Sequence, residues 1–317
     1  SAKGASIAIG NFDGVHRGHQ DLIKKCVEDS KSNCWEPCTC TFEPHPSEVI
    51  APGRVIKLIN LPEQKYRLIN KLGVNNLILF RFDEEMAATK PEDFVKRYLV
   101  DLLQVKKVFV GFNYTFGHKG RGNPRLLEEL GRMHGFDVAV MPPVIIDEEV
   151  VSSTLIRRKY VEGDIPGAAK LLGYCPCLEG AVVPGDRRGR EMGFPTANIS
   201  VPECLLLPQY GVYAAFAREN SRDENGVMKD WRPAIVNIGV RPTFGTEKLS
   251  VETHVLDFCA DLYHKTLSIV LLKQIRRERR FESICQLQNQ IESDIMEARA
   301  LLSQENLAHL APGYNFA

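Results

Sequence analysis

Between residues 6 and 141, short apolar runs alternate with helix-patterned stretches, and this alternation restricts the first half of the chain to few folds. Ser6–Gly10, Cys38–Phe42, Asn76–Phe80, Lys107–Val110 and Phe136–Met141 read as strands. Gly18–Glu28 carries Leu22, Ile23 and Val27 on one helical face. Pro62–Leu72, Pro91–Leu103 and Pro124–His134 each open on proline, whose fixed φ and missing N–H suit a first helical turn. Strands alternating with helices of this length predict βαβ units and an α/β fold with a doubly wound parallel sheet.

The rhythm changes after a helical stretch at Thr154–Leu172. Gly173 and Pro176 break the chain, and short β-rich runs follow, among them Gly211–Phe216, Ala234–Ile238, Val251–Leu256 and Leu267–Leu272. They predict an antiparallel barrel or sandwich. Phe281–Ser303 is amphipathic, with Ile284, Leu287, Ile291, Ile295 and Ala298 at helical spacing, and is expected to pack on that β domain. Arg276–Arg280 reads as a solvated helix start, and Asn220–Asp230 as an exposed loop or hairpin. A chain of 317 residues suits two domains, here residues 1–172 and 173–317.

Lysine plus arginine number 40 and aspartate plus glutamate 40, so no charge excess marks a nucleic-acid or membrane surface, and any phosphate site must be local. No apolar run approaches the ~18 residues of a membrane helix. Nine cysteines and no leader read as reduced thiols, in the cytoplasm or in an organelle where a targeting segment has been removed. Cys34, Cys38 and Cys40 are close enough for a metal, but no partner follows at zinc spacing, and ordinary thiols are expected.

The motif with most chemistry is Gly10-Asn11-Phe12-Asp13-Gly14-Val15-His16-Arg17-Gly18-His19, where the first strand passes into the first helix. Ligands of open α/β sheets bind beyond the strands' carboxyl ends, and a helix N-terminus offers N–H groups to phosphate. Gly10 and Gly14 permit a tight turn, which makes Gly10, Phe12, Asp13 and Gly14 candidate binding residues. His16 and His19, three apart, can share one face of the opening turn and donate hydrogen bonds to phosphate oxygens in a transition state. Taken alone they would read as two surface histidines beside a turn.

Gly111–Gly122 follows the fourth strand and offers Asn113, Lys119 and Arg121 at the same edge, or simply a flexible loop. Ser152-Ser153-Thr154-Leu155-Ile156-Arg157 caps a helix, with Ser153 and Thr154 presenting hydroxyls and Arg157 able to neutralise pyrophosphate. In the second half, Gly189-Arg190-Glu191-Met192-Gly193-Phe194-Pro195-Thr196-Ala197-Asn198 places Thr196 and Asn198 two apart, two neutral oxygens on one face of an extended segment. Magnesium prefers such donors and keeps several waters, so this would be a metal–nucleotide site framed by Gly193 and Pro195. Glu252 in Val251-Glu252-Thr253-His254 sits opposite the apolar face of its strand, where a carboxylate can accept a hydroxyl proton. Each of these strings has a plainer reading by itself: a cap, a turn, an exposed strand carboxylate.

Together the strings resemble the bifunctional riboflavin kinase/FAD synthetase family. Gly10–His19, Phe42-Glu43-Pro44-His45-Pro46, Gly111–Gly117 and Ser152–Arg157 look like its adenylyltransferase module. Gly189–Asn198, Asn237–Phe244 and Val251–His254 look like its riboflavin kinase module, and the resemblance spans nearly the whole chain in the family's order. It implies a Rossmann-like domain with a His-x-Gly-His nucleotidyltransferase site, then a small antiparallel β-barrel with a C-terminal helix. It implies His16 and His19 on ATP phosphates, Asn113, Ser153, Thr154 and Arg157 on ATP and pyrophosphate, Thr196 and Asn198 on magnesium–nucleotide, and Glu252 as base on riboflavin. The substrates and products implied are riboflavin, FMN, FAD, ATP, ADP and pyrophosphate, handled by a monomer or weak homo-oligomer without nucleic-acid or membrane partners. Asn123 stands where the family often has an acidic residue. Two alternatives compete: another His-x-Gly-His adenylyl- or cytidylyltransferase fused to an unrelated β domain, and a flavin-binding protein on a decayed scaffold.

Overall fold

The structure, a computed structural model, describes residues 4–51, 53, 56–185, 189, 192–220, 230–243 and 246–303. Residues 221–229 of the polar stretch, Arg190 and Glu191 of the glycine-rich string, and Phe244 lie outside the described residues. Two units separate by packing, Ser1–Ser153 and Thr154–Ala317.

The first unit is a five-stranded parallel sheet: β1 (Ala5–Ile9), β2 (Glu36–Glu43), β3 (Asn76–Arg81), β4 (Val105–Gly111) and β5 (Asp137–Met141), in the order β3-β2-β1-β4-β5. The order reverses beside β1, so the crevice at β1's carboxyl end is the switch point where such sheets take ligands. The helices are α1 (Arg17–Asn33), α2 (Pro46–Ile50), α3 (Pro62–Lys71), α4 (Glu84–Ala88), α5 (Pro91–Phe94), which continues as π-helical Val95–Leu102, and α6 (Pro124–His134). α1 buries Leu22, Ile23, Cys26 and Val27 against the sheet. A core of Ile7, Ile9, Phe42, Leu99, Val108, Val110 and Leu127 forms from the strands' apolar runs. Asn123 caps α6, its Oδ1 accepting from Leu126 N–H at 3.0 Å, a neutral residue filling the cap role. Cys34 is exposed at the left-handed end of α1, whereas Cys38 and Cys40 are buried in β2. Burial pushes the Cys26 thiol up to about 12 and those of Cys38 and Cys40 upward too, which keeps them protonated at neutral pH.

A short hairpin, β6 (Ile145–Ile146) with β7 (Glu149–Val150), precedes α7 (Ser153–Glu162) and α8 (Ile165–Leu172). The single helical stretch expected at Thr154–Leu172 is thus two helices. Gly163 takes a positive φ of 78°, and Asp164 accepts from Gly167 N–H at 2.9 Å to start the second. Residues 154–172, assigned to the first domain on sequence, fall with the β-rich unit by packing.

That unit is a closed antiparallel barrel: β8 (Cys177–Val183), β9 (Ala197–Ser200), β10 (Gly211–Glu219), β11 (Arg232–Thr243), β12 (Thr246–Val255) and β13 (Thr266–Arg277), in the order β10-β11-β12-β9-β8-β13. β13 closes the ring onto β10. Residues Gly211 to Ala217 are buried on both faces because α9 (Ile284–Leu302) packs outside β10, β11 and β13. Two expectations change here. Arg276 and Arg277 end a strand rather than start a helix, and Arg276 forms a forked ion pair with Asp294 of α9, Nε to both carboxylate oxygens at 3.0 Å. Asp294 is 1% exposed and shares the buried face with Ala298 and Leu302, whereas Ile284 is 68% exposed at the first turn.

Candidate active sites

The loop after β1 is shaped by its own buried residues. Phe12 (φ 51°), Gly14 (φ 83°) and Val15 (φ 34°) all sit at positive φ, a conformation that costs energy except at glycine. Burial of Phe12 and Val15 holds the turn in place. Asp13 is also buried, and its Oδ1 accepts from Ile59 N–H at 3.0 Å and Asn60 N–H at 3.5 Å, fastening the segment before α3 to the loop. Ser153 Oγ donates to the Asp13 carbonyl at 2.9 Å, which brings the third predicted segment to the first.

His16 is the N-cap of α1: its Nδ1 accepts from His19 N–H at 3.3 Å, so the proton of the neutral ring lies on Nε2. The His16 and His19 rings stack with centroids 3.5 Å apart and planes 16° from parallel. The edge of Phe12 meets His19 at 5.2 Å between ring centroids. Burial pushes His16 down to about 4. Burial, then the neighbouring His16 and Lys65, holds His19 well below the ordinary histidine range. Both imidazoles are therefore neutral at physiological pH. Among the described residues, His19 Nδ1 is buried without a hydrogen-bond partner, an unfilled polar position of the kind a ligand completes.

Around this pair, Phe42–Pro46 follows β2, with His45 capping α2 by accepting from Ser47 N–H at 3.3 Å. Asn113 is exposed just beyond β4, and its loop is closed by backbone pairing of Phe116 with Gly122. Lys119 and Arg121 are exposed in that loop. Thr154, exposed, and Arg157, half-buried, follow Ser153 along α7 within the second unit.

In the barrel, Val251, Thr253 and Val255 point to one buried face of β12, which turns Glu252 and His254 to the other. Glu252 pairs with Asn198 of β9 on one side and Asn237 of β11 on the other, a polar row across three strands. Thr196 Oγ lies 3.4 Å from Glu252 Oε2, and Ser250 Oγ donates to Oε1 at 3.2 Å. A Cβ on Gly185 would stand 2.0 Å from Asn198 Nδ2, so only glycine there admits that amide. His254 Nδ1–H donates to the Pro195 carbonyl at 2.8 Å, pinning the Gly193–Thr196 turn, in which Gly193 and Pro195 are exposed. The Thr196 hydroxyl, the Asn198 amide and the Glu252 carboxylate are oxygen donors throughout. That suits a hard cation such as magnesium.

The family model for FAD synthetase matches residues 1–155, and that for riboflavin kinase matches residues 172–302. The bifunctional riboflavin kinase/FMN adenylyltransferase of Escherichia coli K12 is 34% identical over 94% of this chain and 92% of its own length. The chain belongs to the bifunctional riboflavin kinase/FMN adenylyltransferase family. Relatives of the same description include those of Listeria monocytogenes, 36% identical over 94% of this chain and 92% of theirs, and Bacillus subtilis, 35% over 92% and 90%. A solved structure described as a macrolide-efflux protein from Streptococcus pneumoniae superposes with a TM-score of 0.85 at 28% identity, covering 94% of this chain and 95% of that one. Among the described residues, no helix is long and apolar enough to cross a membrane.

In this family member the two parallel-sheet histidines and the barrel's Thr196, Asn198 and Glu252 are each assembled on one unit. The sequence motifs did not single out Lys65, Thr41 or Ser250, which lie beside the proposed sites, and contained Asn237 only as the first residue of Asn237–Phe244. Ser250 was legible as a same-face neighbour of Glu252, two residues away. Asn237 needed the β11–β12 register, and Lys65 needed the crossover that returns α3 to the β2 edge.

Proposed function

We propose that this chain makes FMN and then FAD: ATP phosphorylates riboflavin in the barrel unit, and a second ATP adenylylates FMN in the parallel-sheet unit. The observation that carries the reading is the presence of two separate polar constellations, one per unit, within the matched residues of the two families.

In the barrel, Glu252 takes the proton of the ribityl 5′-hydroxyl as that oxygen attacks the γ-phosphorus, and ADP leaves. Thr196 and Asn198 would hold the magnesium that travels with ATP, and the ion would supply positive charge against the phosphates. The Glu252–Thr196 distance supports one shared oxygen-rich site for metal and base. In the first unit, Gly10, Phe12, Asp13 and Gly14 shape the cradle at the α1 N-terminus. His16 and His19, neutral, act as hydrogen-bond donors to phosphate oxygens rather than as cations, and Asn113 and Ser153 bind ATP and the departing pyrophosphate; for Thr154 and Arg157 of α7 that role rests on the family resemblance alone. The FMN phosphate, largely dianionic at neutral pH, attacks the α-phosphorus, so the site needs no base. The proposal extends to a cytoplasmic monomer or weak homo-oligomer without nucleic-acid or membrane partners, the last point supported by the balanced charge of the chain.

Position-labelled ATP tests this. Label in the γ-phosphate should enter FMN and remain in FAD, whereas label in the α-phosphate should enter FAD alone. Label from either position in a product other than FMN, FAD, ADP and pyrophosphate would favour a different nucleotidyltransferase reaction.

A further inference from the structure

Neutral histidines donate hydrogen bonds but bring no charge, and two phosphates must approach each other at this site. Within the first unit, the structure supplies a cation that the sequence motifs do not contain. Lys65 of α3 lies half-buried against the carboxyl end of β2. Its Nζ donates to Thr41 Oγ at 3.3 Å, and Thr41 Oγ donates to the Asn11 carbonyl at 3.1 Å. Two hydrogen bonds therefore tie the ammonium to the loop that carries His16 and His19. The parallel pairing of Ile9 with Cys40 puts Thr41 beside the carboxyl end of β1, where the loop of His16 and His19 begins.

Lys65 Nζ lies over the Tyr66 ring, 5.6 Å from its centroid, a contact that leaves the ammonium its charge. Among the described residues, no carboxylate lies within ion-pair distance of Nζ, although Asp13 and Glu43 stabilise it at longer range. Asp13 accepts from the Ile59 and Asn60 backbone, and Glu43 accepts from Tyr66 OH at 2.6 Å. Of three ammonium protons, Thr41 takes one. The ammonium is close enough to His19 to help hold that imidazole neutral.

We propose that Lys65 is a catalytic residue of adenylyl transfer, its ammonium binding phosphoryl oxygens of the two groups being joined beside the His16–His19 pair. The inference rests on the adenylyltransferase reading of this unit. In the step, an FMN phosphate oxygen forms a bond to the α-phosphorus of ATP and the bond from that phosphorus to the bridging oxygen breaks. Pyrophosphate leaves with the electron pair, and Lys65 gives up no proton. Its charge offsets the negative charge gathered on the α-phosphoryl oxygens.

The test measures FAD formation from FMN and ATP by Lys65→Met and Lys65→Arg, with riboflavin phosphorylation by the same molecules as the internal reference. Lys65→Met should lower kcat/KM for FAD formation by about 10- to 100-fold, the worth of a charge-assisted hydrogen bond, and leave FMN formation unchanged. A rise confined to KM for FMN assigns the contact to the acceptor phosphate; one confined to KM for ATP assigns it to the nucleotide. Burial lowers the lysine's pKa, so wild-type FAD formation should decline below the ordinary lysine range, and Lys65→Arg should move that alkaline limb upward. Wild-type kinetics in Lys65→Met, or an unmoved limb in an active Lys65→Arg, would overturn the assignment. A wild-type protein that makes no FAD would instead overturn the reading on which it rests.

Discussion

Substituting His16 with asparagine separates two jobs that this side chain performs. His16 caps α1 through Nδ1, and asparagine is among the best N-caps, so His16→Asn keeps the cap while removing a titrating group. The wild-type ring titrates near 6.5 when unfolded and is pushed down to about 4 by burial. Above 6.5 both states are neutral and the ring is indifferent to pH. Between 6.5 and about 4 the unfolded chain binds a proton that the folded chain refuses, so stability is present above the unfolded value and drains away as pH falls. The gap amounts to about 3 kcal/mol for His16 alone, and buried His19 acts in the same direction. His16→Asn should thus match the wild type within about 1 kcal/mol at neutral pH and overtake it as pH approaches 4. Hydrogen exchange of the β1 and α1 amides reads this locally, free of the barrel's own unfolding. Identical pH slopes for the two proteins would refute the claim that burial holds this imidazole neutral.

His19→Ala should lower FAD formation by about 10²- to 10³-fold, the loss typical of one transition-state donor, with FMN formation unchanged; progress curves for the two steps check this. Glu252→Gln should reverse the pattern, cutting riboflavin phosphorylation about 10²- to 10⁴-fold while supplied FMN is still adenylylated at the wild-type rate. Asp294→Asn strands the Arg276 guanidinium between β13 and α9 and should cost the barrel about 3–5 kcal/mol in denaturant unfolding; an unchanged midpoint would mean that solvent replaces the carboxylate.

What the sequence reveals depends on how local the physics is. Prolines opened three helices where expected, at Pro62, Pro91 and Pro124, because the ring's φ and missing N–H act within one turn. The strand–helix alternation identified the parallel sheet, and the His-x-Gly-His spacing put both histidines on the opening turn of the first helix, whereas the His16 cap and the ring stacking emerge only in the structure. Closure of the barrel was not legible against a sandwich, since it rests on β13 pairing with β10 across many residues of intervening chain. Arg276 looked solvated for a similar reason: its partner Asp294 belongs to a helix that returns only after the barrel is complete. Asp13 sits in the motif but spends its carboxylate on the Ile59 and Asn60 backbone, a partnership that no spacing rule within ten residues could reveal. Lys65 carried no motif at all, and its meaning comes from where the crossover deposits it.

The central claim is that two sites on one chain act in order. The direct measurement is a time course of flavins separated by chromatography after the protein is mixed with riboflavin, ATP and magnesium. The account predicts FMN first, with FAD rising at its expense. FMN that accumulates without FAD, even when FMN and ATP are supplied in excess, would contradict it by leaving the His-x-Gly-His unit without this reaction.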